Sequence, residues 1–337
     1  VRLQDFSYDL PEELIAQEPL KERDQSRLLV LNRHNADVSH RRFTDIAEYL
    51  ESGDLMVFNN TRVVATRIHG FKDTGGAVEA ILLSKLGDYR WRAMVKPGRR
   101  VPIGTKLNFG DGKLIGTAIE RFDDGGRILE FSCEGNCDEK IAELGDVPLP
   151  PYINKRLEDR ERYQTVYAEL DGSAAAPTAG LHFTPRVFDA IKAKGIESVF
   201  ITLHVGIGTF RPVRVENILE HEMHAESVFL DERSTEKINS CKGRIICVGT
   251  TTARALESAA IGRHQVRPMR EETRLFITPG YEFRIIDALI TNFHMPRSTL
   301  LILISSLAGR NLIMNAYQEA VKERYRFLSF GDAMLIY

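Results

Sequence analysis

The hydrophobic positions change period along the chain. Asp54-Leu55-Met56-Val57-Phe58 ends in a continuous apolar run of strand length, as a strand covered on both faces requires. Between residues 65 and 146 the pattern alternates instead, in Trp91-Arg92-Ala93-Met94-Val95-Lys96, Lys106-Leu107-Asn108-Phe109 and Lys113 to Glu120. Gly75-Gly76, Pro97-Gly98, Gly110-Asp111-Gly112 and Asp124-Gly125-Gly126 punctuate it. Short strands at a spacing of roughly 8–12 residues, with turn chemistry between them, predict a small β-barrel or sandwich. The stiff Pro148-Leu149-Pro150-Pro151 run follows it.

From Thr184 onward the grammar is strand, turn, helix. Thr184 with Pro185 predicts a helix start and Gly195 its stop. The apolar strand Ser198 to Leu203 follows, then a helix with Ser234 as its cap, ending at Gly243. Arg244-Ile245-Ile246-Cys247-Val248 runs through Gly249-Thr250-Thr251-Thr252 into a helix over Ala253 to Ala260. This alternation predicts an α/β fold with a mostly parallel sheet. With the strand at residue 54 in the same sheet, residues 1–64 and 147–337 form a discontinuous α/β domain, and 65–146 form an inserted β-barrel. No repeat or low-complexity tract interrupts either.

Charge refines this picture. The 337 residues carry 45 Lys+Arg against 47 Asp+Glu, which excludes a polycation that coats nucleic acid by bulk charge. Residues 61–110, however, hold ten basic residues against Asp73, Glu79 and Asp88, a net +7, and residues 111–146 hold four against ten, a net −6. Near-neutrality is a cancellation. The most apolar stretch, Leu300 to Ile304, falls far short of the ~20 residues of a membrane span. No basic-then-apolar leader stands at Val1-Arg2-Leu3-Gln4-Asp5, and the expected location is cytoplasmic, with no membrane partner. Four cysteines make no disulfide framework, and Cys247 reads as a buried free thiol.

Candidate chemistry clusters where strands end. Gly249-Thr250-Thr251-Thr252 offers free N–H groups and hydroxyls at a helix start, suited to an anion or a ligand carboxylate; on spacing alone an ordinary threonine cap is the favoured reading. His204-Val205-Gly206-Ile207-Gly208-Thr209-Phe210 lets a ligand approach the backbone but lacks the third glycine of a dinucleotide fingerprint. His224-Ala225-Glu226 has no Pro-Cys-x-x-Cys partner, and His221 and His224 lack the zincin spacing, so no metal is expected. His182, His204 and His294 sit at strand ends or in Gly/Pro-rich loops, where α/β sheets place their ligands. Asn59-Asn60-Thr61-Arg62 forms a polar cluster after the first buried strand.

At these residues the sequence resembles the S-adenosylmethionine:tRNA ribosyltransferase-isomerases of queuosine biosynthesis. The matching blocks include Asp54 to Val63, Val147 to Ile153, Tyr163 to Ala168, Ala176 to Phe183, Thr202 to Gly206, Gly208 to Phe210, Val248 to Thr251, Asp287 to His294, Tyr325 to Phe327 and Gly331 to Met334. Departures are small: Ala65, Ile207 and Met295 stand where the family commonly has other residues.

The resemblance implies an α/β domain with an inserted barrel and a specific reaction. The ribosyl group of S-adenosylmethionine is transferred and isomerised onto the aminomethyl group of 7-aminomethyl-7-deazaguanine at the tRNA wobble position, giving epoxyqueuosine and releasing adenine and methionine. S-adenosylmethionine is then a consumed substrate, and no cofactor is implied. Abstraction of the ribose C5′ proton beside the sulfonium needs a base, and departing adenine benefits from an acid. His182, His204 and His294 form the pool for these roles, with the assignment among them open. Asn59, Asn60, Thr61, Arg62, Gly206, Gly208, Gly249, Thr250 and Thr251 are implied on the substrate, and Phe183, Phe210 and Phe293 against the sulfonium or a base, where core packing is the competing role. The tRNA is expected over Arg62, Arg67, Lys96, Arg99 and Arg100, bound by a monomer. A non-catalytic RNA-binding module and a methyltransferase are the competing functions.

Overall fold

The computed structural model describes residues 1–122, 125–206, 213 and 215–337. The chain divides into two compact units, Val1–Arg62 with Pro150–Tyr337, and Val63–Leu149. The first strands are β1 (Arg27–Leu31), β2 (Val38–Arg42) and β3 (Leu55–Asn59), followed by the short β4 (Thr61–Val63).

The smaller unit contains β5 (Arg67–Lys72), β6 (Ala77–Lys85), β7 (Arg90–Lys96), β8 (Lys106–Phe109), β9 (Leu114–Arg121) and β10 (Arg127–Ser132). They close into an antiparallel barrel in the order β10-β7-β6-β5-β8-β9. The alternation seen in the sequence is the alternation of its walls: in β8, Leu107 and Phe109 point into the core while Lys106 and Asn108 face water. Gly70 allows β5 to approach β8, since a Cβ there would stand 2.2 Å from the Asn108 carbonyl oxygen. Among the described residues of this unit, one charged side chain is enclosed. Arg127, 2% exposed, donates to the carbonyls of Val101 (3.0 Å), Gly125 (2.9 Å), Gly126 (3.0 Å) and Gly98 (2.7 Å), binding two turns together. The sequence pattern did not indicate helix α1 (Cys137–Leu144), which rests Cys137 and Ile141 on the barrel core. Cys133 and Cys137 are joined by a disulfide, while Cys247 is buried and free as expected.

The larger unit continues with β11 (Leu170–Ser173), α2 (Pro185–Ala193), β12 (Glu197–His204), β13 (Glu226–Leu230), α3 (Glu232–Ser240), β14 (Ile245–Val248) and α4 (Thr250–Ala259). It ends with β15 (Ala260–Gly262), β16 (Gln265–Val266), β17 (Met269–Thr273), β18 (Ala288–Asn292), α5 (Thr299–Ala308), α6 (Arg310–Lys322) and β19 (Ala333–Ile336). Nine of its strands form one sheet in the order β17-β13-β12-β3-β14-β18-β19-β1-β2. β12, β3, β14 and β18 run parallel to one another, as does β19 to β1; the other four pairings are antiparallel. The sheet is therefore mixed, not mostly parallel. The causes are the connections: β1 and β2 form a hairpin, and two helices rather than one separate β18 from β19, which returns the chain in the opposite sense.

Both faces of the sheet are covered, which explains the unbroken apolar run of β3. Val57, Leu203, Leu256 and Phe293 belong to one core, and Phe58, Phe183, Val187 and Ile290 to the other. The Thr184 hydroxyl caps α2 by accepting from Val187 N at 3.4 Å, and the chain leaves through Gly195 at φ +74°. In α3 the cap is Asp231, not Ser234; Ser234 N donates to Asp231 Oδ1 at 2.7 Å. Carboxylate caps compete well with hydroxyls, and Asp231 stands three residues earlier. Among the described residues no single helix is long and apolar enough to cross a membrane, and no group of three His, Cys, Asp or Glu is placed to hold a metal.

Candidate functional site

Because β12, β14 and β18 are parallel, their C-terminal ends share one edge of the sheet, where ligands of α/β folds sit. The segments leaving them, at Val205, at Gly249–Thr251 and at 292–300, line a pocket of about 470 Å³. Tyr152, Pro177, Ala179 and Leu328 contribute to walls that are mostly apolar.

Gly249 has φ +91°, a conformation that side chains resist, and turns β14 sharply into α4. The first amides of α4 have no partner within the helix. The Thr252 hydroxyl bonds back to Val248 O at 2.7 Å. Thr251 Oγ1, in contrast, is enclosed with no partner among the described residues, and it lines the pocket beside the buried Thr250. The free amides, the dipole and the unengaged hydroxyl together suit a carboxylate.

His294 also lines the pocket. Its Nε2 stands 2.8 Å from Thr291 Oγ1, and its backbone is held between the hydroxyls of Tyr8 and Tyr317. No described residue bonds to Nδ1. Burial drives its pKa down to about 3, so the ring is neutral at physiological pH. Arg297 lines the same pocket at φ +56°, with its guanidinium in no hydrogen bond or ion pair among the described residues.

His182 is placed differently. It is 4% exposed and lines a second, small cleft with Arg23, Ser26 and Arg162. Both ring nitrogens are engaged: Nδ1 lies 2.8 Å from Ser26 Oγ, and Nε2 lies 3.1 Å from Asn292 Nδ2. Burial pushes its pKa down to about 4, opposed by a hydrogen bond to the Arg23 carbonyl and aided by the charges of Arg326 and Arg23. A ring so occupied acts through Asn292, which does line the large pocket.

His204 does not line the pocket. Its Nδ1 is 2.7 Å from Thr61 Oγ1, and the ring packs over Gly172, where a Cβ would come within 2.9 Å. Burial lowers its pKa, and Asp171 opposes that. Asn59 clamps β12: its Nδ2 donates to Leu203 O at 2.9 Å, and its Oδ1 accepts from Leu203 N at 3.0 Å and Thr61 N at 3.2 Å. Asn60 accepts from Thr202 Oγ1 at 2.7 Å and donates to Glu169 at 3.1 Å, and Arg62 pairs with Glu161. These five residues, His204 and Asn59 to Arg62, lie at the ends of β3 and β12 and on β4, and none of them lines the pocket. Phe183 is core, in T-shaped contact with Phe43 and Phe58, whereas Phe293 is buried yet lines the pocket. Gly206 follows the pocket-lining Val205; Gly208 and Phe210 lie outside the described residues.

In the smaller unit, Arg67 (3.7 Å) and Lys96 (3.8 Å) share Glu79. Arg99 and Arg100 are exposed on the turn Gly98–Arg100, with no side-chain ion pair among the described residues.

Sequence reasoning missed Asn292, Thr178, Ser26, Tyr152 and Arg297. Asn292 had a signal, standing two residues before His294 at the end of an apolar strand, and Arg297 follows His294 by three; Thr178 precedes His182 by four, whereas Ser26 and Tyr152 come from distant segments.

The model of a family described as "Queuosine biosynthesis protein" matches residues 3–336. The chain belongs to this family. It is 51% identical over 340 residues to the S-adenosylmethionine:tRNA ribosyltransferase-isomerase of Clostridioides difficile (strain 630), and 52% identical over 340 residues to that of Staphylococcus haemolyticus (strain JCSC1435), covering 100% of each pair. A crystal structure of S-adenosylmethionine tRNA ribosyltransferase from Thermotoga maritima is 38% identical, with a TM-score of 0.55 over 99% of this chain and 100% of that one.

Proposed function

We propose that the pocket takes S-adenosylmethionine as a consumed substrate, and that the chain transfers and isomerises its ribosyl group onto the 7-aminomethyl-7-deazaguanine of a tRNA wobble position. The observation that carries this reading is the convergence, on one mostly apolar cavity, of an open helix start at Gly249–Thr251, an unengaged hydroxyl on Thr251 and the neutral His294. The helix start suits the methionine carboxylate, and apolar walls suit a nucleoside. No resident cofactor has a role in this scheme.

His294 is the base best supported. Its low pKa reflects the cost of creating a charge in a dry site. Taking the C5′ proton of a sulfonium creates none: the C–H bond breaks, its electron pair stays on carbon beside sulfur, and the positive charge moves onto the imidazole. The burial penalty on His294 is thereby largely cancelled. His182 is a positioning residue in this scheme, and His204 has no contact with the pocket. The tRNA engages the exposed Arg99 and Arg100; Arg62, Arg67 and Lys96 are already compensated. We place the protein in the cytoplasm as a monomer.

The test is incubation with S-adenosylmethionine and tRNA bearing the deazaguanine precursor. Adenine and methionine are expected in equal amounts. Saturated binding without adenine overturns the reading, and S-adenosylhomocysteine would mark a methyltransferase.

A further inference from the structure

The end of β18 carries an amide whose orientation is set from behind. Asn292 is 3% exposed and lines the large pocket. Its Oδ1 accepts from Thr178 Oγ1 at 2.9 Å, and its Nδ2 donates to His182 Nε2 at 3.1 Å. That assignment requires a bare Nε2, and therefore a proton on Nδ1. Nδ1 faces Ser26 Oγ at 2.8 Å, a hydroxyl that can accept its hydrogen bond. The ring is further fixed against Phe43, with centroids 5.0 Å apart. Turning the amide over would set Oδ1 against the lone pair of Nε2.

Each of these bonds uses one of two sites on its atom. One N–H and one oxygen lone pair of Asn292 remain, on a side chain that lines a pocket whose other walls include Pro177, Phe293 and Leu300. An asparagine amide of this kind pairs with an adenine edge, where N7 accepts and the 6-amino group donates.

We propose that Asn292 reads the N6/N7 edge of the adenine of S-adenosylmethionine, and that His182 is the positioning residue that fixes its amide. The inference rests on the proposed S-adenosylmethionine site. The deazaguanine of the tRNA is the poorer match, since its position 7 is carbon.

The experiment measures calorimetric binding of S-adenosylmethionine and of its 7-deazaadenine analogue to the full chain, alongside adenine release with precursor tRNA. Wild type is expected to bind the analogue at least tenfold more weakly. Asn292→Ala binds S-adenosylmethionine about tenfold more weakly and no longer distinguishes the two; Thr178→Val replaces it should Asn292→Ala not fold. His182→Leu loses the discrimination, while His182→Gln, whose amide oxygen accepts in place of Nε2, keeps it. Equal wild-type binding of both ligands overturns the proposal, as does discrimination that survives in Asn292→Ala. A rise confined to the tRNA KM in Asn292→Ala overturns it too and assigns Asn292 to the RNA base. Wild-type adenine release without discrimination sinks this inference alone; the absence of release sinks the parent reading.

Discussion

Asp54 takes the guanidinium of Arg244 on both carboxylate oxygens, Oδ1 from Nε at 3.1 Å and Oδ2 from Nη2 at 2.6 Å. The Arg244 and Glu51 amides donate to the same carboxylate, at 3.0 and 2.8 Å. The pair joins the turn before β3 to the start of β14. Burial raises the Asp54 pKa, but the hydrogen bonds from Arg244 and the two amides outweigh it, and the net shift is downward. Asp54→Ala is therefore expected to cost about 2–4 kcal/mol, because it strands an arginine and two amides. The wild-type contribution is complete above the ordinary carboxylate pKa and is lost as pH falls through the lowered folded value. Urea unfolding of both proteins at pH 7 and in acid checks the size and the sign.

The buried histidines give a second pH dependence at a different place. The folded pKa values of about 4 for His182 and about 3 for His294 lie below the ordinary histidine value of 6.5, so the unfolded chain binds more protons as pH falls below 6.5. Stability is complete above that point. It declines toward pH 4 with a slope of about 1.4 kcal/mol per pH unit for each group. His294→Gln should remove about half of this slope. It should also lower kcat by about 10²–10⁴, with S-adenosylmethionine binding retained. Denaturation curves across this range and single-turnover rates separate the two effects.

Thr251 separates stability from affinity. Its enclosed hydroxyl has no partner among the described residues, so Thr251→Val is expected to leave the free protein as stable as before, or slightly more so. The same variant should bind S-adenosylmethionine more weakly by about 0.5–1.5 kcal/mol. Melting temperatures with and without ligand reveal this: equal or slightly higher for the variant in its absence, and a smaller ligand-induced rise for the variant in its presence.

Arg99 and Arg100 are the test of the RNA surface. Replacing both with Ser should reduce the slope of log K against log salt by about 1.4–1.8 for tRNA, leaving S-adenosylmethionine affinity unchanged. Filter binding from low to moderate salt measures it. An unchanged slope would move the RNA contact elsewhere.

Local pattern carried much of the architecture. β3 and β14 were legible because strands buried on both faces must be apolar throughout, β12 because Val199, Ile201 and Leu203 alternate into the core, and α2 because Thr184, Pro185 and Gly195 mark its ends. The barrel was legible because its walls alternate. The antiparallel flanks were not, since no residue within β18 or β19 records how many helices lie between them. In the site, Gly249–Thr251, His294 and Phe293 reach one pocket as strand-end positions should. His182 and Asn59 looked alike in sequence, as polar groups in apolar company, yet both serve neighbouring protein atoms. Only the arrival of Ser26 from residues earlier in the chain by more than 150 reveals what His182 holds.

The pairing of β3 with β12 sets a timetable. Leu55 lies opposite Glu197, so a central strand of the sheet emerges from the ribosome roughly 140 residues before its first neighbour. At ~5–20 residues per second this is a wait of about 7–28 s, during which Leu55, Met56, Val57 and Phe58 have no sheet to enter. The barrel is made in that interval from residues close to one another, and its two ends are pinned by reciprocal Arg67–Asp146 hydrogen bonds at 3.0 and 2.7 Å. Once formed, it removes most of the intervening chain from the search. The insertion thus shortens the loop that nascent β3 must close, and conditions that slow barrel formation should lengthen the exposure of its apolar run to aggregation and to chaperones.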